Sequence, residues 1–199
     1  IVVDIGANVG AFSYLALKKN IKHLYSIEPS RLLLPTLIKN IGESNKVDIV
    51  NYRIGNYEED KVVLQKDDGI NIYDNANSTF DTITFTNFIE KYKIKKIDFL
   101  KCDCEGGEYS VFTEDNFDWI YNNVKKIAGE FHLWGIPDAL ENFYKFKNKY
   151  LIDGVTYFVE DREGNNVTSK MLDNQWLEDF SWNNQGGAQL NVYIEYGRK

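Results

Sequence analysis

Cysteine is almost absent from this 199-residue chain. Its two copies, Cys102 and Cys104, stand in one strand-like stretch and so point to the same side. Strand neighbours two apart are poorly placed for an unstrained disulfide. Two thiols alone do not make a tetrahedral zinc site. We therefore expect buried free thiols, no metal centre and a reducing, cytoplasmic setting. The sequons at Asn77 and Asn166 are chance matches in that setting. Long apolar runs are missing too: none approaches the roughly 20 residues that span a bilayer, and no signal peptide is visible. No block of Lys and Arg breaks the net charge of −7. The nearest, Lys91-Tyr92-Lys93-Ile94-Lys95-Lys96, reads as a solvated helix end and loop. So acidic a chain is a poor binder of phosphate backbones, and nucleic acid is not an expected partner. Methionine does not open the chain; Ile1-Val2-Val3 reads like the inside of a strand, so an N-terminal piece is expected before it.

What is present is enough for a core. Hydrophobic residues make up 43% and aromatics 15%, and the length fits one domain over residues 1–199. Strand-like and helix-like stretches alternate. Ile1–Ile5, His23–Glu28 and Lys46–Tyr52 read as strands. Val9–Asn20, with Phe12, Leu15 and Ala16 on one face, and a stretch from Ser30 as N-cap to Ile41 read as helices. Such alternation predicts an α/β fold, a mostly parallel, doubly wound sheet. Lys61–Gln65 and Ile70–Tyr73 around Asp67-Asp68-Gly69 resemble a hairpin, followed by a polar loop over Asp74–Phe80 that suits a lid or acceptor loop. Asp81–Phe85 and Lys96–Cys104 are further strands, Asn87–Tyr92 a short helix, and Glu105 to about Val124 a longer one. Lys125–Leu133 is a strand and Pro137–Tyr150 an amphipathic helix. Val155–Glu160 and Ala188–Tyr196 close the chain as an antiparallel edge, with a loop-rich stretch between them.

Three places carry chemistry. Asp4-Ile5-Gly6-Ala7-Asn8-Val9-Gly10 turns directly out of the first strand, where ligands of doubly wound sheets bind. Its Gly-x-x-x-Gly spacing is not the Gly-x-Gly-x-x-Gly of pyrophosphate sites, which argues against an NAD-dependent oxidoreductase. Glu28 ends the second strand, where an acid can accept hydrogen bonds from ribose hydroxyls or simply be solvated. Alternation along Lys101-Cys102-Asp103-Cys104-Glu105-Gly106-Gly107-Glu108 puts Lys101, Asp103 and Glu105 on one side. Acids this close repel, so a positive partner is needed, and a Lys101–Asp103 ion pair is one expectation. His132, at a strand end after Glu130 and Phe131, is the first candidate for a general base, with Asp103 and Glu105 as competitors. A purely structural His132 stays open, as does a non-catalytic binding module on the same fold.

Together, Val3–Gly10, Ile27-Glu28-Pro29 and Phe99–Glu108 resemble the FkbM-type methyltransferases over Ile1 to about Phe131, and Asn40 fits the pattern as well. Cys102 and Cys104 stand where that family usually has aliphatic residues, and Gly107 where it often has Ala. The resemblance implies a Rossmann-like class I methyltransferase fold, S-adenosyl-L-methionine (SAM) as cofactor, and often a hydroxyl on a sugar or natural product as acceptor. It implies Asp4, Gly6, Ala7, Asn8 and Gly10 at the methionine end of SAM, Glu28 at the ribose and Pro29 near the adenine. Arg53 and Ile54 follow on the adenine side, and Asp103 faces the methyl-transfer region. Trp134, Trp176 and Trp182 are available to stack on a sugar ring, though core packing is the commoner role of a tryptophan.

Overall fold

The computed structural model describes residues 1–42, 44–55, 81–184 and 187–197. The hairpin and polar loop expected between Lys61 and Phe80 lie outside these residues. The chain divides into two compact units, Ile1–Ile94 and Lys95–Lys199.

In the first unit, β1 (Val2–Ile5), β2 (Leu24–Ile27) and β3 (Val47–Val50) pair in parallel, with Asp4 opposite Ser26 and Ile27 opposite Val50. Every residue of β1 and β2 is buried. That is why these strands read as unbroken runs rather than alternating ones: parallel strands are covered on both faces. Two helices, α1 (Ala11–Leu17) and α2 (Leu34–Ile41), follow β1 and β2. Ala7, Leu37 and Ile41 form a buried cluster that Leu17, Leu34, Val47 and Ile49 pack against. A two-residue strand β4 (Arg53–Ile54) pairs in parallel with β5 (Thr82–Ile83). Thr84 ends β5 by accepting a hydrogen bond from the Asn87 amide, which caps α3 (Phe85–Lys91).

Two local expectations fail here. Leu15 is 63% exposed and does not share the buried face of Ala16, because α1 has only seven residues and ends at Leu17. Ser30 does not cap α2. Its carbonyl accepts the Leu33 and Leu34 amides in a turn, and the helix begins one turn later, where Pro35 presets its φ.

The second unit has β6 (Ile97–Cys102) parallel to β7 (Val124–His132). Then β9 (Gln189–Glu195) runs antiparallel to β7, and β8 (Thr156–Asp161) antiparallel to β9. The antiparallel C-terminal edge is therefore present. On one side lies an aromatic core: Phe131 stacks on Phe146 at 4.0 Å, and Phe112, Phe143 and Tyr150 surround the pair. Burying each such ring contributes about 1.5–3 kcal/mol.

The single helix expected from Glu105 to Val124 is two, α4 (Glu108–Val111) and α5 (Glu114–Asn123). Phe112 leaves the helical region to enter the core. Thr113 restarts the helix by accepting the Asn116 amide, and the Asn116 side chain donates back to the Val111 carbonyl. After α6 (Ala139–Tyr150), the stretch read as loop contains a short 3₁₀ turn (Lys170–Leu172) and α7 (Asn174–Asn184). Only Leu177 and Ser181 of α7 are buried, so its helical periodicity is faint.

Candidate active site

The turn after β1 is built on positive φ at alternate residues: Gly6 at 77°, Asn8 at 51° and Gly10 at 88°. A Cβ at position 10 would lie 2.7 Å from Leu37 Cδ1 and 3.0 Å from Ile41 Cγ2, so glycine lets α1 start against α2. Every amide from residue 6 to residue 10 is already used. Gly6 and Ala7 donate to the Ile27 carbonyl at 3.0 and 2.9 Å. Asn8 donates to Glu28 Oε2 at 2.8 Å, Val9 to Asn8 Oδ1, and Gly10 to the Ala7 carbonyl. The turn thus has no spare donor for a phosphate, unlike a dinucleotide-binding loop.

Asp4 is fully buried beneath this turn. Its Oδ2 accepts from Ser13 Oγ at 2.6 Å, and Ser13 Oγ lies 2.5 Å from Ser26 Oγ, so the ends of β1 and β2 are fastened to α1. Glu28 is buried as well and accepts the amides of Asn8 and Ser30, both at 2.8 Å. Ser30 Oγ is buried and has no hydrogen-bond partner among the described residues. Two further side chains complete the frame: Asn40, which fits the family pattern, and Asn51, which sequence reasoning missed. Asn40 donates to the Val9 carbonyl, and Asn51 donates to the Glu28 and Pro29 carbonyls. Arg53 folds its guanidinium over Gly55, and Ile54 is buried in β4.

In the second unit, Cys102 and Cys104 are free thiols with their sulfurs 3.7 Å apart, on the same side as expected. Lys101 Nζ lies 3.4 Å from Asp103 Oδ2, so the expected ion pair forms. The chain then turns through Glu105 at φ 54° and Gly106 at φ 97°. A fully buried Glu108 holds this turn. Its Oε1 accepts the Cys104 and Gly106 amides at 3.0 and 3.2 Å. The same oxygen lies 3.3 Å from His132 Nδ1, while His132 Nε2 is 3.4 Å from Glu105 and 3.5 Å from Glu130. The hydroxyl of Tyr109 donates to the His132 carbonyl at 2.8 Å, locking the end of β7 to α4.

Three carboxylates around one imidazole set its charge. Burial pulls the His132 pKa down, but the hydrogen bonds that its ring donates to Glu105 and Glu108 outweigh it and raise it to about 10. Glu130 is pushed up to about 7, by burial first and then by repulsion from Asp103, partly offset by His132. The hydrogen bond to His132 holds Glu105 below its usual value.

The His132 and Glu130 shifts make stability fall with rising pH. The charged His132 ring stabilises the fold fully below its unfolded value near 6.5, and that gain is lost as pH rises towards about 10. Glu130, raised from 4.5, is protonated and harmless below about 4.5, and its penalty is complete above about 7. The thermal midpoint should therefore drop between about pH 4.5 and about pH 10, and Glu130→Gln should flatten the acid side of that drop. A midpoint constant across this window would contradict the cluster's electrostatics.

Trp134 and Trp182 pack edge to face at 6.1 Å and remain 40% and 67% exposed. Ser181 Oγ donates to the Leu133 carbonyl at 2.8 Å and so seats α7 beside the end of β7. Trp176 instead stacks on Phe180 at 4.9 Å. Among the described residues, no helix is long and apolar enough to cross a membrane.

Known proteins place this geometry. A family model described as the methyltransferase FkbM domain matches residues 4–148. No curated protein matches the chain. Among solved structures, the METTL16 MTase domain in a second crystal form superposes with a TM-score of 0.51 at 12% identity. The match covers 99% of this chain and 60% of that one. The N-terminal domain of human METTL16 in complex with SAH gives 0.49 at 12% identity, covering 99% and 61%. A putative RNA methyltransferase, PH1948 from Pyrococcus horikoshii, gives 0.43 at 12% identity, covering 98% and 73%. This chain thus spans about three fifths of either METTL16 chain. At such identities the likeness is one of fold.

Proposed function

Because the chain belongs to the family of the methyltransferase FkbM domain, we propose that it moves a methyl group from SAM to a hydroxyl of a sugar, polysaccharide or natural product. The chain has the Rossmann-like class I methyltransferase fold and is a SAM-dependent methyltransferase. The hydroxyl acceptor is the further step. The observation that carries the cofactor assignment is the turn after β1, whose five amides are all spent within the protein. Such a turn approaches a ligand closely without offering a phosphate cradle, which fits a nucleoside bearing a sulfonium and an amino-acid tail.

In this reading Gly6, Ala7, Asn8 and Gly10 form the surface for the methionine end, and Asp4 supports them from below. An ionised Glu28 carboxylate offers acceptor oxygens only, which, with the nearby Ser30 Oγ, suits ribose hydroxyls. Pro29, Arg53 and Ile54 are the adenine-side candidates. Asp103 is assigned to the methyl-transfer region, beside the carboxylates that surround His132. SAM brings a methyl group on a cationic sulfur, and the protein's task is to hold the acceptor oxygen in line with it. The exposed Trp134–Trp182 pair supports a sugar-like acceptor, because indole faces stack on the apolar faces of sugar rings. Residues 1–199 act as one domain in this reading, supported by a family match that runs through Ile94 and Lys95 without a break. A reducing, cytoplasmic setting follows from the two free thiols.

Calorimetry with S-adenosylhomocysteine (SAH) and with NAD tests the reading. Binding of SAH and no heat from NAD is the expected result. Binding of NAD alone would overturn it.

A further inference from the structure

The loaded methyl donor needs a partner that removes a proton, and the obvious candidate in the sequence is His132. Its geometry is wrong for that task. Both ring nitrogens already face carboxylates: Nδ1 faces Glu108, and Nε2 faces Glu105 and Glu130. No nitrogen lone pair is left to accept a proton. The buried Glu108 strengthens the point. Its Oε2 has no hydrogen-bond partner among the described residues, so the charge on this carboxylate is balanced largely through His132.

Glu130 is placed differently. It sits one turn of the pleat before His132 on β7 and is half-buried. It faces a cleft of about 120 Å³ whose wall includes Lys101, Asp103, Asn191 and Tyr193. With a water's share of liquid volume at about 30 Å³, that cleft has room for a few heavy atoms, on the scale of a hydroxymethyl group. Asn191 stands directly opposite Glu130 on β9 and brings an amide to the same cleft.

We propose that Glu130 is the proton acceptor of the reaction, and that His132 is a positioning residue, a fixed cation that orients the Glu130 carboxylate. This rests on the methyl-transfer reading above. The step balances: a lone pair of the acceptor oxygen forms the new O–C bond, the S–C bond breaks with its electron pair going to sulfur, and the hydroxyl proton passes to Glu130. The surrounding charges agree. Lys101 faces Glu130 from β6, Asp103 from just past its end, Glu105 from the turn, Glu108 from α4 and His132 from β7. Tyr193 faces it from β9 and also feels Glu160 of β8. The net acidity of that shell, with burial, brings the carboxylate to about 7, where a base is half-ready at neutral pH.

The test uses the whole chain labelled with ¹³C-glutamate, followed by NMR across pH. The Glu130 carboxyl carbon, identified by its loss in Glu130→Gln, should titrate with a midpoint near 7. The chain has only His23 and His132, so labelling histidine as well adds only two ring signals to assign. The His132 ring should stay protonated across the neutral range, and Glu105→Gln, at a side chain more than half exposed, should lower its midpoint. SAH binding measured on the same samples should be the same in wild type and Glu130→Gln. With SAM and a set of methyl glycosides, SAH release should fall about 100-fold or more in Glu130→Gln, with its pH profile losing the limb near 7. A Glu130 midpoint in the ordinary glutamate range, or a His132 ring that titrates within the neutral range, overturns the assignment even if SAH binds. Failure of wild type to bind SAH overturns the methyl-transfer reading instead.

Discussion

Replacing Gly10 with alanine should remove about 2–5 kcal/mol of folding stability. Two effects add. An L-residue at φ 88° sits in the left-handed region, which costs about 1–2 kcal/mol. The new methyl would then press on Leu37 Cδ1 at 2.7 Å and Ile41 Cγ2 at 3.0 Å. Leu37 is fully buried and has little room to yield, and overpacking of this kind costs about 1–3 kcal/mol. Against a total stability of about 5–15 kcal/mol, such a loss is severe. Gly164→Ala is the control. Its φ of 82° is also in the positive range, but nothing among the described residues lies within 4 Å of the added methyl. Denaturant midpoints should separate the two variants by the packing contribution. Equal losses would show that the α1–α2 contact is not what requires glycine at position 10.

Glu28→Ala should weaken SAH binding about 100-fold, which is about 2.7 kcal/mol. The carboxylate joins the turn after β1 to the turn after β2 by accepting the Asn8 amide with Oε2 and the Ser30 amide with Oε1. Hydrogen bonds to a charged group contribute about 1.5–3 kcal/mol each, and truncation leaves both amides without their acceptor. Asn8 would then lose the contact that holds it at φ 51°. Glu28→Gln keeps one acceptor oxygen and should fall between wild type and alanine. Calorimetry reads the affinity, and a denaturant curve confirms that the variant is folded. A cooperatively folded Glu28→Ala with unchanged SAH affinity would take Glu28 out of the cofactor site.

The strand ends were the legible part of this molecule. Asp4, Glu28 and Asp103 each close an apolar run and precede a turn, a pattern visible without any knowledge of partners. The Lys101–Asp103 pair and the side shared by the two cysteines followed from period-two alternation alone. Residues whose role depends on a neighbouring strand were not legible. Glu108 and His132 lie 24 positions apart and meet only because β6 and β7 pair with Cys102 opposite Gly129. The same pairing surrounds His132 with acids, which a lone histidine at a strand end does not reveal. Local signals also misled where the backbone chose another solution. Ser30 has the right side chain for a helix cap but begins a turn, and its hydroxyl is buried. Helix α7 hides because its aromatic residues face solvent or one another rather than forming an apolar stripe.

The β4–β5 pairing has a consequence for how this protein can be rebuilt. Arg53 donates to the Asp81 carbonyl at 2.8 Å and Gly55 to the Ile83 carbonyl at 3.1 Å, so the chain on either side of residues 56–80 is clamped into a stem. Closing a loop on such a stem costs only about 0.6 kcal/mol more for each doubling of its length. A replacement segment between Gly55 and Asp81 therefore has to be long enough to return to a parallel neighbour, and beyond that length should cost this pairing little.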